Sequence, residues 1–231
     1  MSSGVRTVRF AHDLGFPPFA ERVATGSSGM IVDLLRVCGT RAGFRAEFVA
    51  VPFDEVKETI KDGRADAIFP LGINPERRKI FDFTEPLFVT GAALFTRQSD
   101  ADSVWPSFDD LAGKIVTTPR SGPLVGYIAS RFPKVTLIQS DDYDESLAQL
   151  MRGDADAAAL NLQVGAAMVA RQWSRSIRIP QGAFLDLPLA VAVSRGKNAE
   201  LISELNETLE AMRVNGTLDE VVMRWKAPNN L

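Results

Sequence analysis

The chain has 231 residues, 45% of them apolar and 24% charged, with a net charge of −3. That balance is ordinary for a soluble globular protein and leaves room for one large domain or two smaller ones. The interspersed charges give no basic footprint for nucleic acid. A single cysteine excludes an internal disulfide, and the longest uncharged run, 157–170, is shorter than the roughly 20 residues that span a bilayer.

The opening residues Met1-Ser2-Ser3-Gly4 have neither the basic nor the apolar segment of a signal peptide. The expectation is a chain from which a leader or membrane segment is missing, or a cytoplasmic one. Residues 5–11 alternate and are rich in β-branched side chains, which predicts a first strand. Residues 12–19 form a loop in which Pro17 and Pro18 fix the backbone and present Phe16 and Phe19. Gly26-Ser27-Ser28-Gly29 is a turn. Apolar positions Ile31, Leu34, Leu35 and Cys38 recur at helical spacing over 30–42, with Gly43 suited to the C-cap. Strand 46–51 and helix 53–62 follow, with Phe53 at the helix entrance as a candidate hydrophobic staple.

Residues 66–86, DAIFPLGINPERRKIFDFTEP, carry most of the functional information. They open as a short apolar strand, 67–71, that stops at Gly72. Pro75 suits the first position of a short helix. Arg77 then lies just past the carboxyl end of a strand, where open α/β sheets hold their ligands.

Strand 88–96 leads into a polar, irregular stretch at 97–106, and the first crossing between lobes is expected near Thr96. A strand at 114–118, the turn Pro119-Arg120-Ser121-Gly122-Pro123 and a helix over 124–131 come next. A helix N-terminus presents unpaired N–H groups suited to an anion, although Ser121 also fits an ordinary N-cap. Strand 135–139 precedes a helix capped by Ser140 and Asp141. The following GDADAAALN mirrors the earlier GRADAIFPLG, so two similar α/β lobes each contribute one strand end. Strand 189–193 returns to the first lobe, and helices over 198–213 and 218–225 close the chain. The lobes are expected at 5–95 plus 189–231 and at 97–187.

The stretch DAI…GINPERRKIFDFTEP resembles the signature of type II periplasmic solute-binding proteins, in their polar amino-acid branch (family 3). The closing NGTLDEVVMRW is similar to the family's ending, so the resemblance covers nearly the whole chain. It implies a Venus-flytrap: two α/β lobes, a hinge of two crossing strands and a ligand cleft between the lobes. It also implies a periplasmic or other extracytoplasmic setting. By resemblance Arg77 clamps a ligand carboxylate, and Phe16 and Phe53 line the cleft. Arg120, Ser121 and Gly122 fall where the second lobe caps that carboxylate. Phe16 and Phe53 each retain a packing role as the alternative, and for Phe19 and Phe69 packing is the preferred one.

Amino-acid binders of this family also need acceptors and an aspartate for the ligand's ammonium. Here Pro70 and Gly72 stand where hydroxyl residues are usual, and Asn161 stands for the aspartate. A desolvated ammonium without a counter-charge costs several kcal/mol. The expectation is a small carboxylate ligand lacking an α-ammonium, or an ammonium partner relocated to Asp13 or Asp33.

Three functional classes remain. One is the solute receptor of an ABC importer, meeting its permease. Another is the sensor domain of a membrane signalling protein such as a histidine kinase. The third is an enzyme resembling cyclohexadienyl dehydratase. The last is the weakest, because the only histidine is His12, no nucleophile–base pair is visible and 161–169 holds no carboxylate. No catalytic residue, cofactor or metal is therefore assigned.

Overall fold

The computed structural model describes residues 4–100 and 108–226; most of the polar stretch expected at 97–106 lies outside them. The chain divides into two compact units, 1–89 with 188–231, and 90–187. It is a mixed α/β chain of strands β1 (Arg6–Asp13), β2 (Gly15–Phe16), β3 (Ala20–Val23) and β4 (Gly26–Ser28), helix α1 (Met30–Ala42), β5 (Phe44–Val51), α2 (Val56–Lys61), β6 (Ala67–Gly72), α3 (Pro75–Arg78), β7 (Phe81–Phe83) and β8 (Phe88–Arg97). After a 3-10 turn at Phe108–Leu111 come β9 (Ile115–Pro119), α4 (Leu124–Arg131), β10 (Thr136–Ser140), α5 (Tyr143–Arg152), β11 (Ala157–Asn161), α6 (Leu162–Met168), β12 (Ile177–Arg178), β13 (Leu185–Ser194), α7 (Ala199–Val214) and α8 (Thr217–Lys226). Among the described residues no helix is long and apolar enough to cross a membrane.

In the first unit β1 pairs in parallel with β5 on one side and β6 on the other. In the second, β9 pairs in parallel with β10 and β11. Both units therefore place their first strand between the second and third, and parallel neighbours require helical crossovers. The mirrored sequences occupy equivalent places. Asp66 accepts the backbone N–H of Arg9 in β1 at 2.8 Å, and Asp156 accepts that of Ile115 in β9 at 2.8 Å. Each aspartate thus ties the entrance of its third strand to the first strand of its unit.

Apolar periodicity accounts for the main helices. The buried face of α1 carries Ile31, Leu34, Leu35 and Cys38, and Gly43 ends it in the left-handed region at φ 77. Cys38 has no exposed surface, lies 3.6 Å from Met212 Sδ, and burial pushes its thiol up to about 12. In the second unit, Val116, Leu124, Ile128 and Ala157 share one apolar cluster, and Phe95, Leu147, Leu150 and Leu160 share another.

Several local expectations differ from what forms. The loop at 12–19 and the turn at Gly26-Ser27-Ser28-Gly29 contribute to a three-stranded sheet, β2-β3-β4. Strands of two to four residues hold too few alternations to register as a pattern. The chain leaves the first unit at Val89/Thr90, inside β8, before the expected Thr96. The reason is that β8 runs unbroken and already pairs with β11 from Ala92. It returns inside β13, at Leu187/Pro188. Helix α5 is capped by Asp142, whose side chain accepts from Glu145 N, not by Ser140 or Asp141.

Candidate ligand-binding site

Parallel strands bring their carboxyl ends to one edge of each unit. In the first unit those ends are Asp13, Val51 and Gly72. Asn74 caps α3 by accepting the Arg77 N–H at 2.8 Å, with Pro75 behind it in the first turn. That geometry turns the Arg77 side chain back over the end of β6. Its Nη1 donates to the Gly72 carbonyl at 2.8 Å, and its guanidinium carbon lies 5.8 Å from the centre of the Phe53 ring. Arg77 is 7% exposed, although it carries a permanent charge. A Cβ at residue 72 would stand 3.2 Å from Nη1, so glycine there makes room for the guanidinium.

Pro70 is buried within β6, at the point where pairing with β13 shifts register between Ala190 and Ala192. A bulge spares the ladder the N–H that proline lacks. Phe53 is half-buried and packs on a cluster that includes Val51, Val56, Ile68 and Phe81. Phe16 is half-buried in β2, 5.7 Å from Phe19. Phe19 has no exposed surface and lies 5.3 Å from Phe88, so it is a core anchor. Phe69 is core as well, within 6.0 Å of Phe10 and 5.5 Å of Phe48. Asp13 ends β1 half-buried. Asp33 takes hydrogen bonds from Arg36 and Trp225 and ties α8 to α1.

In the second unit the ends of β9 and β11 lie side by side through their parallel pairing. Arg120 is exposed and ion-paired with Asp141 at 2.5 Å. Its own N–H goes to Ser140 O, and the Gly122 N–H goes to Pro119 O at 3.1 Å. Ser121 does not cap α4, because the cap position falls on Pro123 and no side chain closes it. Asn161 is 2% exposed and caps α6. Its Oδ1 accepts from Val164 N at 3.2 Å and from Thr90 Oγ1 at 3.0 Å. The Thr90 hydroxyl also contacts Gln163 Oε1. The Asn161 side-chain oxygen is therefore engaged by the protein itself.

Two further residues have surroundings that the sequence does not signal. Lys57 lies in the first turn of α2, where partial burial and then the charge of Arg77 lower its proton affinity. The other is His12, whose structural role no motif announces. His12 has no exposed surface; its ring hydrogen-bonds Asp13 O at 2.6 Å and Ser27 Oγ at 2.7 Å. It thus pins the β2-β3-β4 sheet to the end of β1. Burial holds its pKa below the ordinary value, so the folded protein keeps it neutral while the unfolded chain binds a proton below about pH 6.5. Stability is therefore complete above that pH and falls as the pH drops. Lowering the pH from 7.5 to 5.5 should therefore reduce the stability that His12 contributes. Urea unfolding at the two pH values should show that loss, and His12→Gln should remove most of it.

Residues 8–228 match the family of bacterial extracellular solute-binding proteins, family 3. The chain belongs to this family. Among family 3 relatives, the virulence sensor protein BvgS of Bordetella pertussis is 30% identical over 207 residues, 87% of this chain. This chain spans only 16% of BvgS. The putative ABC transporter arginine-binding protein 2 of Escherichia coli is 26% identical over 97% of this chain and 92% of that protein. The crystal structure of the BvgS periplasmic VFT2 domain superposes with a TM-score of 0.84 at 26% identity, covering 95% of this chain and 93% of that one. The Venus-flytrap fold of family 3 is thus shared with both a transport receptor and a sensor.

Proposed function

We propose that the chain binds a small carboxylate-bearing solute that lacks an α-ammonium, outside the cytoplasm, as the solute receptor of an ABC importer. Arg77 is the carboxylate clamp, with Phe53 and Phe16 as apolar walls. Ser121 and the open N-terminus of α4 supply the second unit's contact. In this reading Arg120 flanks the site through its pair with Asp141, and closure bends β8 and β13 near Val89/Thr90 and Leu187/Pro188. Ligand favours the closed form because only that form engages both units.

The observation that carries the ligand class is Asn161. Its Oδ1 is committed to Val164 N and Thr90 Oγ1, and Asn161 brings no negative charge. An ammonium desolvated beside it would lack a counter-charge. Binding without turnover is the proposed activity, in keeping with the relatives named above. A sensor domain is the second reading, favoured by the 30% identity to BvgS.

Thermal unfolding with each L-amino acid beside its 2-oxo or 2-hydroxy analogue tests the ligand class. Saturation at about a hundred times Kd adds roughly 2.7 kcal/mol, or a shift of about 5–10 °C for a chain of this size. Stabilisation by the deaminated acids alone is the expected result. Stabilisation by amino acids instead would mean that another group balances the ammonium and would overturn the reading.

A further inference from the structure

Asn161 ends β11 with a side chain that the protein satisfies on one side only. A backbone N–H donates and never accepts, so the amide atom 3.2 Å from Val164 N is the oxygen. The same oxygen faces the Thr90 hydroxyl at 3.0 Å, on the neighbouring strand β8. The Val164 N–H thereby fixes which way the amide is turned, and Nδ2 is left on the other side. Among the described residues Nδ2 donates to nothing, and it is not sealed from solvent, although the residue as a whole is only 2% exposed. Asn161 thus offers two N–H donors and no free acceptor at the carboxyl end of a strand, where an open α/β sheet holds its ligand.

The reading above sets this residue beside the substituent next to the solute's carboxylate. Three substituents differ in what they offer it. An ammonium also only donates, so the two groups would meet hydrogen to hydrogen. A hydroxyl can accept from Nδ2, but its own hydrogen then lacks an acceptor, because Oδ1 faces Val164 and Thr90. A carbonyl oxygen has two lone pairs and no hydrogen, and so matches a donor-only partner outright. We infer that Asn161 determines which substituent the solute carries and that Nδ2 selects an oxo group, which makes the solute a 2-oxo acid. The inference rests on the carboxylate reading above and narrows it to that class.

The experiment is calorimetric titration of the whole chain with matched sets of acids. One is pyruvate, lactate, alanine and propionate; another is 2-oxovalerate, 2-hydroxyvalerate, norvaline and valerate; the last is phenylpyruvate, phenyllactate, phenylalanine and 3-phenylpropionate. Within whichever set binds, the 2-oxo acid should bind at least about tenfold more tightly than the unsubstituted acid, with the 2-hydroxy acid between them and the amino acid weakest. Asn161→Ser keeps a capping oxygen for α6 but has no N–H2, so the oxo preference should shrink to about threefold or less. Asn161→Asp also keeps the cap and puts an acceptor where Nδ2 was, so the 2-oxo acid should lose about tenfold while the amino acid gains. Circular dichroism checks that each variant folds, and the ranking in the parent protein decides the matter where one does not. Equal affinity for the 2-oxo and unsubstituted acids, a 2-hydroxy acid as tight as its 2-oxo partner, or an oxo preference that survives Asn161→Ser would overturn the inference and leave the carboxylate reading standing. Amino acids binding most tightly, no binding in any set, or binding indifferent to Arg77→Ala would overturn both.

Discussion

Arg77→Ala is expected to weaken carboxylate binding by at least about a hundredfold, the largest functional effect of any single substitution here. A guanidinium meets a carboxylate through two parallel charge-assisted bonds, each worth about 1.5–3 kcal/mol. Losing both removes about 3–6 kcal/mol, and each 1.4 kcal/mol is a tenfold change in Kd. Arg77→Lys keeps a charge but not the planar fork, so it should fall between, about tenfold to thirtyfold weaker. The alanine variant also strips the Gly72 carbonyl of its donor at 2.8 Å. An acceptor left without its partner costs about 1–3 kcal/mol when buried, so the unliganded protein should also melt a few degrees lower. Calorimetry and melting curves on the three proteins separate the two effects. A Kd within threefold of the parent for Arg77→Ala would remove Arg77 from the site.

Gly29→Ala is expected to cost about 4 kcal/mol or more, the class of loss reserved for severe defects. Gly29 precedes α1 with φ 142 and ψ 162, a conformation essentially confined to glycine. A Cβ there would lie 2.3 Å from the Phe19 carbonyl oxygen and 2.7 Å from Ala20 N. Those are backbone atoms, and backbone cannot swing aside as a side-chain tip can. For a chain of this size the melting temperature should drop by about 8–16 °C. Gly15→Ala is the control: a Cβ there meets nothing within 4 Å, and the change should stay within about 0.5 kcal/mol. A Gly29→Ala protein within 1 kcal/mol of the parent would show that the Phe19–Gly29 approach is not tight.

The long elements were legible because their periodicity is long. Helix α1 occupies the span that Ile31, Leu34, Leu35 and Cys38 mark out, and the repeat of GRADA as GDADA predicted two units of like topology. The placement of Arg77 just past the end of β6 was legible too, since Gly72 and Pro75 punctuate the chain around it. The small β2-β3-β4 sheet was not, because its strands are shorter than one full pattern. Neither was the role of Asn161. The sequence marked it only as standing where an aspartate is usual, whereas its oxygen is engaged in capping α6 and in the bond to Thr90, partners only the folded chain assembles. Gly72 likewise looked like a lost hydroxyl, and its close approach to Arg77 Nη1 gives it a packing reason as well.

The buried thiol of Cys38 has a practical corollary. A sulfur without exposed surface, packed on Met212 and held almost wholly as the protonated thiol near neutral pH, is nearly inert to maleimides. Cysteines introduced at exposed positions, for instance one at Lys61 and one at Arg131, can therefore be labelled without first removing the natural one. A fluorophore pair on such a protein would report inter-unit distance molecule by molecule, as each candidate solute is added.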